Sequence, residues 1–338
     1  MRVKLAIASL EADYSEHLSN YISQYYSDIL DVSVCLTSSS LSDTLAKHKF
    51  DVALLDKALI SDTDLSTIAL PLILVGETES DDGLTDELMG IRKYQRVSFI
   101  VADLLECFAR VSKYSRSLIS EKANITVIWS PSGGVGKTTV ALSYAMKKAA
   151  EGRQVLYLNL ESFASSPAYF LESGRSISTV FEMLENDEGD VKMAIRGIYQ
   201  QDKEAGVAYF CKPENFADMY ALTADNIGDL ITACAGVTEE LVIDLSCACD
   251  LRTEKTFDLA DKIMIVTDQT ITTDVKLSQF ISQHSVFESI KDKLAVVANK
   301  GAMIEKDKYN EVFYLPTVAS ADPIIICKTL SAGFESIL

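Results

Sequence analysis

Residues Gly133, Gly134, Gly136, Lys137 and Thr138 stand in the stretch WSPSGGVGKTTV, in an order that phosphate chemistry demands. Glycines let consecutive backbone N–H groups turn onto phosphate oxygens at the start of a helix. A lysine just inside the helix then reaches the terminal phosphates, and the hydroxyl beside it ligates Mg2+. Val135 and Thr139 complete the run, with Thr139 expected near the α-phosphate. The first glycine of the usual G-x-x-x-x-G-K-[ST] spacing is replaced by Pro131, and Ser132 follows it. A glycine-rich turn with an idle surface lysine is the alternative. The loop, however, follows an apolar β-branched run and opens a helical one, which is the context that phosphate binding requires. A nucleotide with Mg2+ is the expected ligand.

The elements that must hold this loop show in the hydrophobic pattern. NITVIWS leads into it as a strand, and TTVALSYAMKKAAEGR leaves it as a helix. RQVLYLNLE, EELVIDLS, DKIMIVTD and KLAVVANK are buried-strand runs separated by helical segments. Residues 119–338 are thus expected to form an α/β domain opened by the loop. Upstream, VKLAIAS, VSVCLT, FDVALLD, LPLILVG and a short ELMGIRKYQ alternate with the helical segments SEHLSNYISQYYSDI and LSDTLAKHK. A long helix, SFIVADLLECFARVSKYSRSLI, closes the series. Five such units in about 115 residues predict a parallel, flavodoxin-like doubly wound domain over residues 1–118. The polar segment SRSLISEKAN (116–124) reads as the linker.

Composition sets outer limits. The chain has 338 residues, 48% of them hydrophobic, enough for the cores of about two domains. Its net charge of −18 repels nucleic-acid phosphates and anionic lipid, so nonspecific nucleic-acid binding is not the expected main activity, although net charge leaves a local basic patch open. No apolar run approaches the roughly 20 residues that span a bilayer. MRVKLAIASL lacks the features of a signal peptide, and a cytoplasmic protein is expected. The cysteines Cys35, Cys107, Cys211, Cys234, Cys247, Cys249 and Cys327 are scattered and odd in number, the usage of reduced thiols rather than a disulfide framework. Cys247-Ala-Cys249 stands apart from this pattern.

The loop and the runs downstream of it resemble the MinD/ParA group of phosphate-loop ATPases, whose loop reads K-G-G-x-G-K-T-T. The resemblance covers residues 124–338 and makes ATP the implied nucleotide. It places Glu161, in VLYLNLESF, at the water-orienting position, where the group has aspartate. Asp244, in LVIDL, falls at the second-carboxylate strand, holding Mg2+ through water. Asn299, in VVANK, falls where the group contacts adenine, and Pro316, in YLP, in the loop that closes over the base. Read alone, Asp244 ends a strand, Asn299 sits in a turn and Glu161 is a loop carboxylate. Their order after the loop is what favours a site. The group's lysine ahead of GGxGK crosses a dimer to offset transition-state charge, and Ser132 brings none. Tight Mg·ATP binding with slow turnover is expected.

The first domain resembles a response-regulator receiver. Asp56, ending FDVALLD, stands where receivers carry the phosphoacceptor, and Lys93 matches the lysine that pairs with the phosphoryl group. Only Glu11 represents the acidic pair that holds Mg2+, and Gly76 or Glu77 replaces the hydroxyl residue after the fourth strand. Asp56 is thus expected to be a vestigial phosphoacceptor or a structural residue. A degenerate receiver joined to such an ATPase resembles the TadZ/CpaE proteins. GVAYFCKPENFADMYALTADNIGDLI, RKYQ and VKLSQF add to that likeness. It implies a homodimer that positions a Tad (Flp) pilus secretion machinery, with recruitment to the membrane or cell pole through partners.

Other readings compete. Cys247 lies three residues after Asp244, the spacing of the cluster cysteine in nitrogenase-reductase-type iron–sulfur ATPases. Cys211 or Cys234 would then have to supply the second thiol. Otherwise Cys247 and Cys249 are expected to be buried in apolar packing. A chromosome-partition ATPase is disfavoured by the acidic charge. A membrane switch is disfavoured by the tail CKTLSAGFESIL, which lacks a basic amphipathic face. A helix over 274–291 is expected to pack on the core or dock a partner. Small-molecule ligases built on this fold also fit.

Overall fold

A computed structural model describes residues 2–60, 64–76, 89–111, 123–170, 174–304, 309 and 311–334. The chain divides into two compact units, Met1–Tyr114 and Ser115–Leu338. Most of the expected linker, together with Glu77 and the last four residues of the tail, lies outside the described residues.

In the first unit, β1 (Val3–Ala8), β2 (Leu30–Cys35), β3 (Phe50–Asp56), β4 (Ile68–Val75) and β5 (Met89–Arg92) form a wholly parallel sheet. Its order is β2-β1-β3-β4-β5, the flavodoxin-like doubly wound arrangement. The central strands are apolar on both faces because helices cover both, namely α1 (Ala12–Tyr25), α2 (Ser38–Lys47) and α3 (Val97–Val111). Thr37 and Ser40 form a reciprocal capping box that fixes the start of α2. Between β3 and β4 the described residues form only short 3-10 turns, Lys57–Leu59 and Leu65–Thr67, and no α-helix.

The second unit opens with β6 (Asn124–Trp129), the phosphate-type loop and α4 (Lys137–Ala150), then β7 (Val155–Asn159). Next come α5 (Ser178–Glu185), α6 (Val191–Ile198), β8 (Gln200–Gln201), β9 (Val207–Tyr209), α7 (Asp218–Ala221) and α8 (Ala224–Ala235). β10 (Glu240–Asp244), α9 (Leu251–Leu259), β11 (Lys262–Thr267), α10 (Ile271–Ile281) and α11 (His284–Ile290) follow. The unit ends on β12 (Leu294–Ala298), β13 (Val312–Tyr314) and α12 (Pro323–Ser331). The sheet order is β13-β12-β11-β6-β10-β7-β9-β8, all parallel except β8. From β6 the chain winds first toward β7 and later back toward β11. That reversal opens a crevice beyond the carboxyl ends of the strands, where such sheets bind ligands.

Helix α4 buries Val140, Ala141, Tyr144 and Ala145, the i, i+1, i+4, i+5 stripe of a core-facing helix. Gly152, at φ +84°, ends it in the left-handed region that favours glycine. The expected helix over 274–291 is two helices instead. α10 stops at Ile281, and α11 restarts after Gln283, whose φ −81° and ψ 77° are not helical. Among the described residues no helix is long and apolar enough to cross a membrane.

Candidate functional site

Parallel register builds the site. Asp244 stands opposite Ile128 on β6 and Asn159 on β7, so three strand ends meet beside the loop that leaves Trp129. In that loop Gly134 and Gly136 adopt φ +77° and +94°, which other residues rarely reach. A Cβ on Gly136 would lie 2.6 Å from Asn299 Nδ2, whereas one on Gly133 or Gly134 would meet open space. Among the described residues, the N–H groups of Gly133 to Gly136 donate to no protein acceptor. The glycine pair is exposed, while Val135 is buried and anchors the loop from beneath. This is a row of free donors at the N-terminus of α4, with Lys137 and Thr138 just inside it.

Asp244 is fully buried. Its Oδ2 accepts from Tyr157 Oη at 2.9 Å and from Asn159 Nδ2 at 3.4 Å. Its Oδ1 has no hydrogen-bond partner among the described residues. Burial raises this carboxyl from 3.8 to about 7, and the Glu161 charge adds to the rise. The hydroxyls of Thr138 and Tyr157 and the Lys137 charge pull the other way. A buried, underbonded carboxylate oxygen next to a threonine hydroxyl is a donor set suited to hydrated Mg2+. Glu161 approaches Lys137 Nζ at 3.9 Å, and its backbone N–H donates to Asn159 Oδ1 at 2.7 Å. Burial raises the Glu161 carboxyl, and Lys137 lowers it.

Asn299 and Pro316 come together at the ends of β12 and β13. Leu315 donates to Ala298 O, and Gly301 to Leu315 O. Asn299 Nδ2 donates to Val135 O at 2.8 Å, so half of its amide holds the loop. Pro316 is exposed. Thr139 Oγ1 pairs with Tyr169 Oη at 3.1 Å. Ser132 is buried, and its Oγ accepts from Thr273 Oγ1 at 3.3 Å. The sequence did not reveal Tyr157, Asp268 or Lys300, and it showed Asn159 only as the start of Asn159-Leu160-Glu161, where the MinD/ParA group has D-x-D. Lys300 Nζ donates to Gly134 O at 2.7 Å and pairs with Asp268 at 3.3 Å. Lys300 follows Asn299 directly, and that adjacency was the one signal available.

The first unit holds a separate cluster at the ends of β1, β3 and β5. Lys93 Nζ pairs with Asp56 Oδ1 at 2.6 Å and with Glu11 Oε1 at 2.9 Å. Asp56 Oδ2 accepts from Ser9 Oγ at 2.6 Å and from Leu10 N at 2.9 Å. Tyr94 Oη reaches both Glu11 oxygens at 2.8 Å, from a backbone at φ +59°. Burial alone would lower the Lys93 ammonium, but its bonds to Asp56 and Glu11 outweigh that and hold it above its ordinary value. Both Asp56 oxygens are therefore engaged by the protein itself.

Apolar burial of Cys247 and Cys249 is overturned, since both are exposed on the loop after β10. That loop is pinned by its middle residue, Ala248, whose carbonyl accepts from Trp129 Nε1 and Thr253 Oγ1. Cys211 and Cys234, the partners a cluster would need, are buried. Among the described residues no group of three His, Cys, Asp or Glu side chains is placed to hold a metal.

No family model and no curated protein matches the chain. Solved structures do. A ParA-family ATPase from Chlorobium tepidum TLS is 14% identical with a TM-score of 0.53, covering 63% of this chain and 96% of its own. The cell-division ATPase MinD of Pyrococcus furiosus is 15% identical, with a TM-score of 0.49, over 63% of this chain and 91% of its own. Cobyrinic acid a,c-diamide synthase from Mycobacterium smegmatis, solved with an ATP analogue and magnesium, is 16% identical. Its TM-score is 0.47, over 62% of this chain and 93% of its own. At these identities the likeness to the Chlorobium protein is one of fold: about 63% of this chain shares the α/β fold of that ParA-family ATPase.

Proposed function

We propose that the chain binds Mg·ATP at residues 133–138 and uses its occupancy as a switch, with slow hydrolysis. The observation that carries this reading is Asp244. Among the described residues its buried Oδ1 has no hydrogen-bond partner, and it lies behind a loop whose N–H groups donate to no protein acceptor. A merely structural strand end would satisfy that oxygen, because an unmet buried polar group costs about 1–3 kcal/mol.

In this reading the N–H groups of Gly133 to Gly136 and the Lys137 ammonium cradle the β- and γ-phosphates. Thr138 and Asp244 would hold Mg2+, which when bound neutralises charge between those phosphates. Asn299 and Pro316 flank the base, and Thr139 sits toward the α-phosphate. Glu161 is the carboxylate nearest Lys137 and the candidate to orient water. Ser132 carries no charge, and its hydroxyl is turned back onto Thr273, so position 132 does not add to Lys137 the second cation that speeds phosphoryl transfer. Holding the nucleotide is favoured over turning it over.

The unit Met1–Tyr114 is a degenerate receiver in this proposal, and residues 119–338 form the ATPase domain. Two copies associate under nucleotide control. The pairing of domains supports a TadZ/CpaE-like role in positioning a Tad (Flp) pilus secretion machinery, with partners bringing the chain to a membrane or pole. The test is light scattering after size exclusion with ATP, ADP or no nucleotide, with bound nucleotide and phosphate release measured on the same samples. Retained nucleotide, an ATP-dependent rise in mass and turnover well below about 1 s−1 are expected. An unchanged mass with no retained nucleotide refutes the switch. Turnover of several per second that Lys137→Ala abolishes refutes slow hydrolysis.

A further inference from the structure

The back of the phosphate-type loop, away from the expected phosphates, is tied down by three side chains. Asn299 Nδ2 holds Val135 O, Lys300 Nζ holds Gly134 O, and Thr273 Oγ1 lies 3.3 Å from Ser132 Oγ. Two of these three ties converge on one carboxylate. Asp268 Oδ2 pairs with Lys300 Nζ at 3.3 Å, and Asp268 Oδ1 accepts from Thr273 Oγ1 at 2.9 Å.

The same carboxylate governs the start of α10. Asp268 Oδ1 also accepts from Thr270 N at 3.3 Å and from Thr270 Oγ1 at 3.0 Å, and Thr270 is the N-cap of that helix. A negative charge at a helix N-terminus is stabilised by the unpaired N–H groups there. Burial pushes the Asp268 carboxyl up, but the hydroxyls of Thr273 and Thr270 and the Lys300 ammonium more than offset that and leave it below its ordinary value. A mostly buried, ionised carboxylate thus grips the loop with one oxygen, through Lys300, and the first turn of α10 with the other.

We propose that Asp268 is a positioning residue that couples the phosphate-type loop to α10, so that occupancy of the loop is read out as the stability of that helix. The proposal rests on the nucleotide reading above. Ser132 and Gly134 lie on the segment that must settle against phosphates, and any shift of Gly134 O changes the length of the Lys300–Asp268 pair. The partner of that pair is the anchor of Thr270 and Thr273, so the shift is delivered to the helix cap. α10 presents Ile271, 84% exposed, and Val275, 52% exposed, one turn apart on its outer side. These are the side chains whose positions the loop would control.

The test is hydrogen exchange of the full chain with and without Mg·ATP, in the wild type and in Asp268→Asn and Lys300→Gln. In the wild type, nucleotide is expected to slow exchange at 133–139 and also, by about fivefold or more, in the first turns of 271–281. Asp268→Asn keeps the shape of the side chain but not its charge. Its thermal midpoint is expected to stay close to wild type while the response of 271–281 is lost and that of 133–139 persists. Lys300→Gln should do the same, and Asp268→Glu should restore part of the response. Slowed exchange at 133–139 with no change at 271–281 in the wild type overturns the coupling alone. A full α10 response in Asp268→Asn does so too. No slowing at 133–139 and no bound nucleotide overturn the nucleotide reading, and the coupling with it.

Discussion

Replacing Asp244 by asparagine should stabilise the nucleotide-free protein while destroying its Mg2+-dependent nucleotide binding. Burial lifts this carboxyl from 3.8 to about 7, roughly three pH units. At 1.36 kcal/mol per unit, holding the charge inside the folded protein costs about 4 kcal/mol above pH 7. The folded state keeps its proton more tightly than the unfolded chain does. Stability is therefore greatest below pH 3.8, drains away as the pH rises toward 7, and is level beyond. An asparagine keeps an acceptor for Tyr157 and Asn159 but leaves an amide N–H partly unmet, which returns about 2 kcal/mol of the gain. The net advantage is about 2 kcal/mol at pH 8, or about 4–8 °C in the melting temperature of a unit this size. Near pH 5 the wild type has already lost about half its penalty, and the advantage falls to about zero. Thermal melts of both proteins at pH 5 and pH 8, without nucleotide, measure this directly. An Asp244→Asn protein destabilised equally at both values would refute the reasoning, because the buried charge would then carry no cost.

Four further outcomes are expected. Gly136→Ala places a Cβ 2.6 Å from Asn299 Nδ2 at a φ of +94°, so it should weaken nucleotide binding by about 100-fold, read by titration with a fluorescent ATP analogue. Ser132→Lys puts an ammonium in a buried position facing Thr273. It should cost about 3 kcal/mol in urea unfolding without speeding phosphate release, and a stable, faster variant would show the side chain pointing outward instead. Asp56 should take no label from acetyl phosphate, since both its oxygens are engaged, and Asp56→Asn should cost the unit Met1–Tyr114 about 2 kcal/mol by leaving the buried Lys93 with Glu11 as its remaining carboxylate partner.

The parts of this protein that were readable in its sequence are those whose chemistry is local. The glycine loop declares itself within seven residues because backbone conformation and phosphate contact are decided there. The long central strands declare themselves by unbroken apolar runs. Tyr157, Asp268 and Lys300 could not be found that way, and neither could the hydrogen bond from Asn159 to Asp244. Their roles come from which strands lie side by side, and a register such as Asp244 opposite Asn159 is set by the whole sheet. The break between α10 and α11 was invisible for a different reason. The segment Ser282–Gln283 contains neither glycine nor proline, and apolar residues recur on both sides of it, so the periodicity reads straight through. Cys247 and Cys249 misled because their neighbours Leu245 and Leu251 look like core, whereas the loop turns outward after β10 and Leu251 is itself exposed.

The two ends of the eight-stranded sheet carry a last consequence. Its outermost strands are β8, with two residues, and β13, with three, while the inner strands β6, β7, β10, β11 and β12 run to five or six. β8 also runs against the direction of its neighbours. A strand from another chain needs a long, regular row of unpaired N–H and C=O groups to join, and among the described residues neither border of this sheet offers one. Sheet extension is thereby closed to this unit as a way of sticking to itself. Copies of it that meet must do so through helices and loops, and a misfolded neighbour finds no template along its rim.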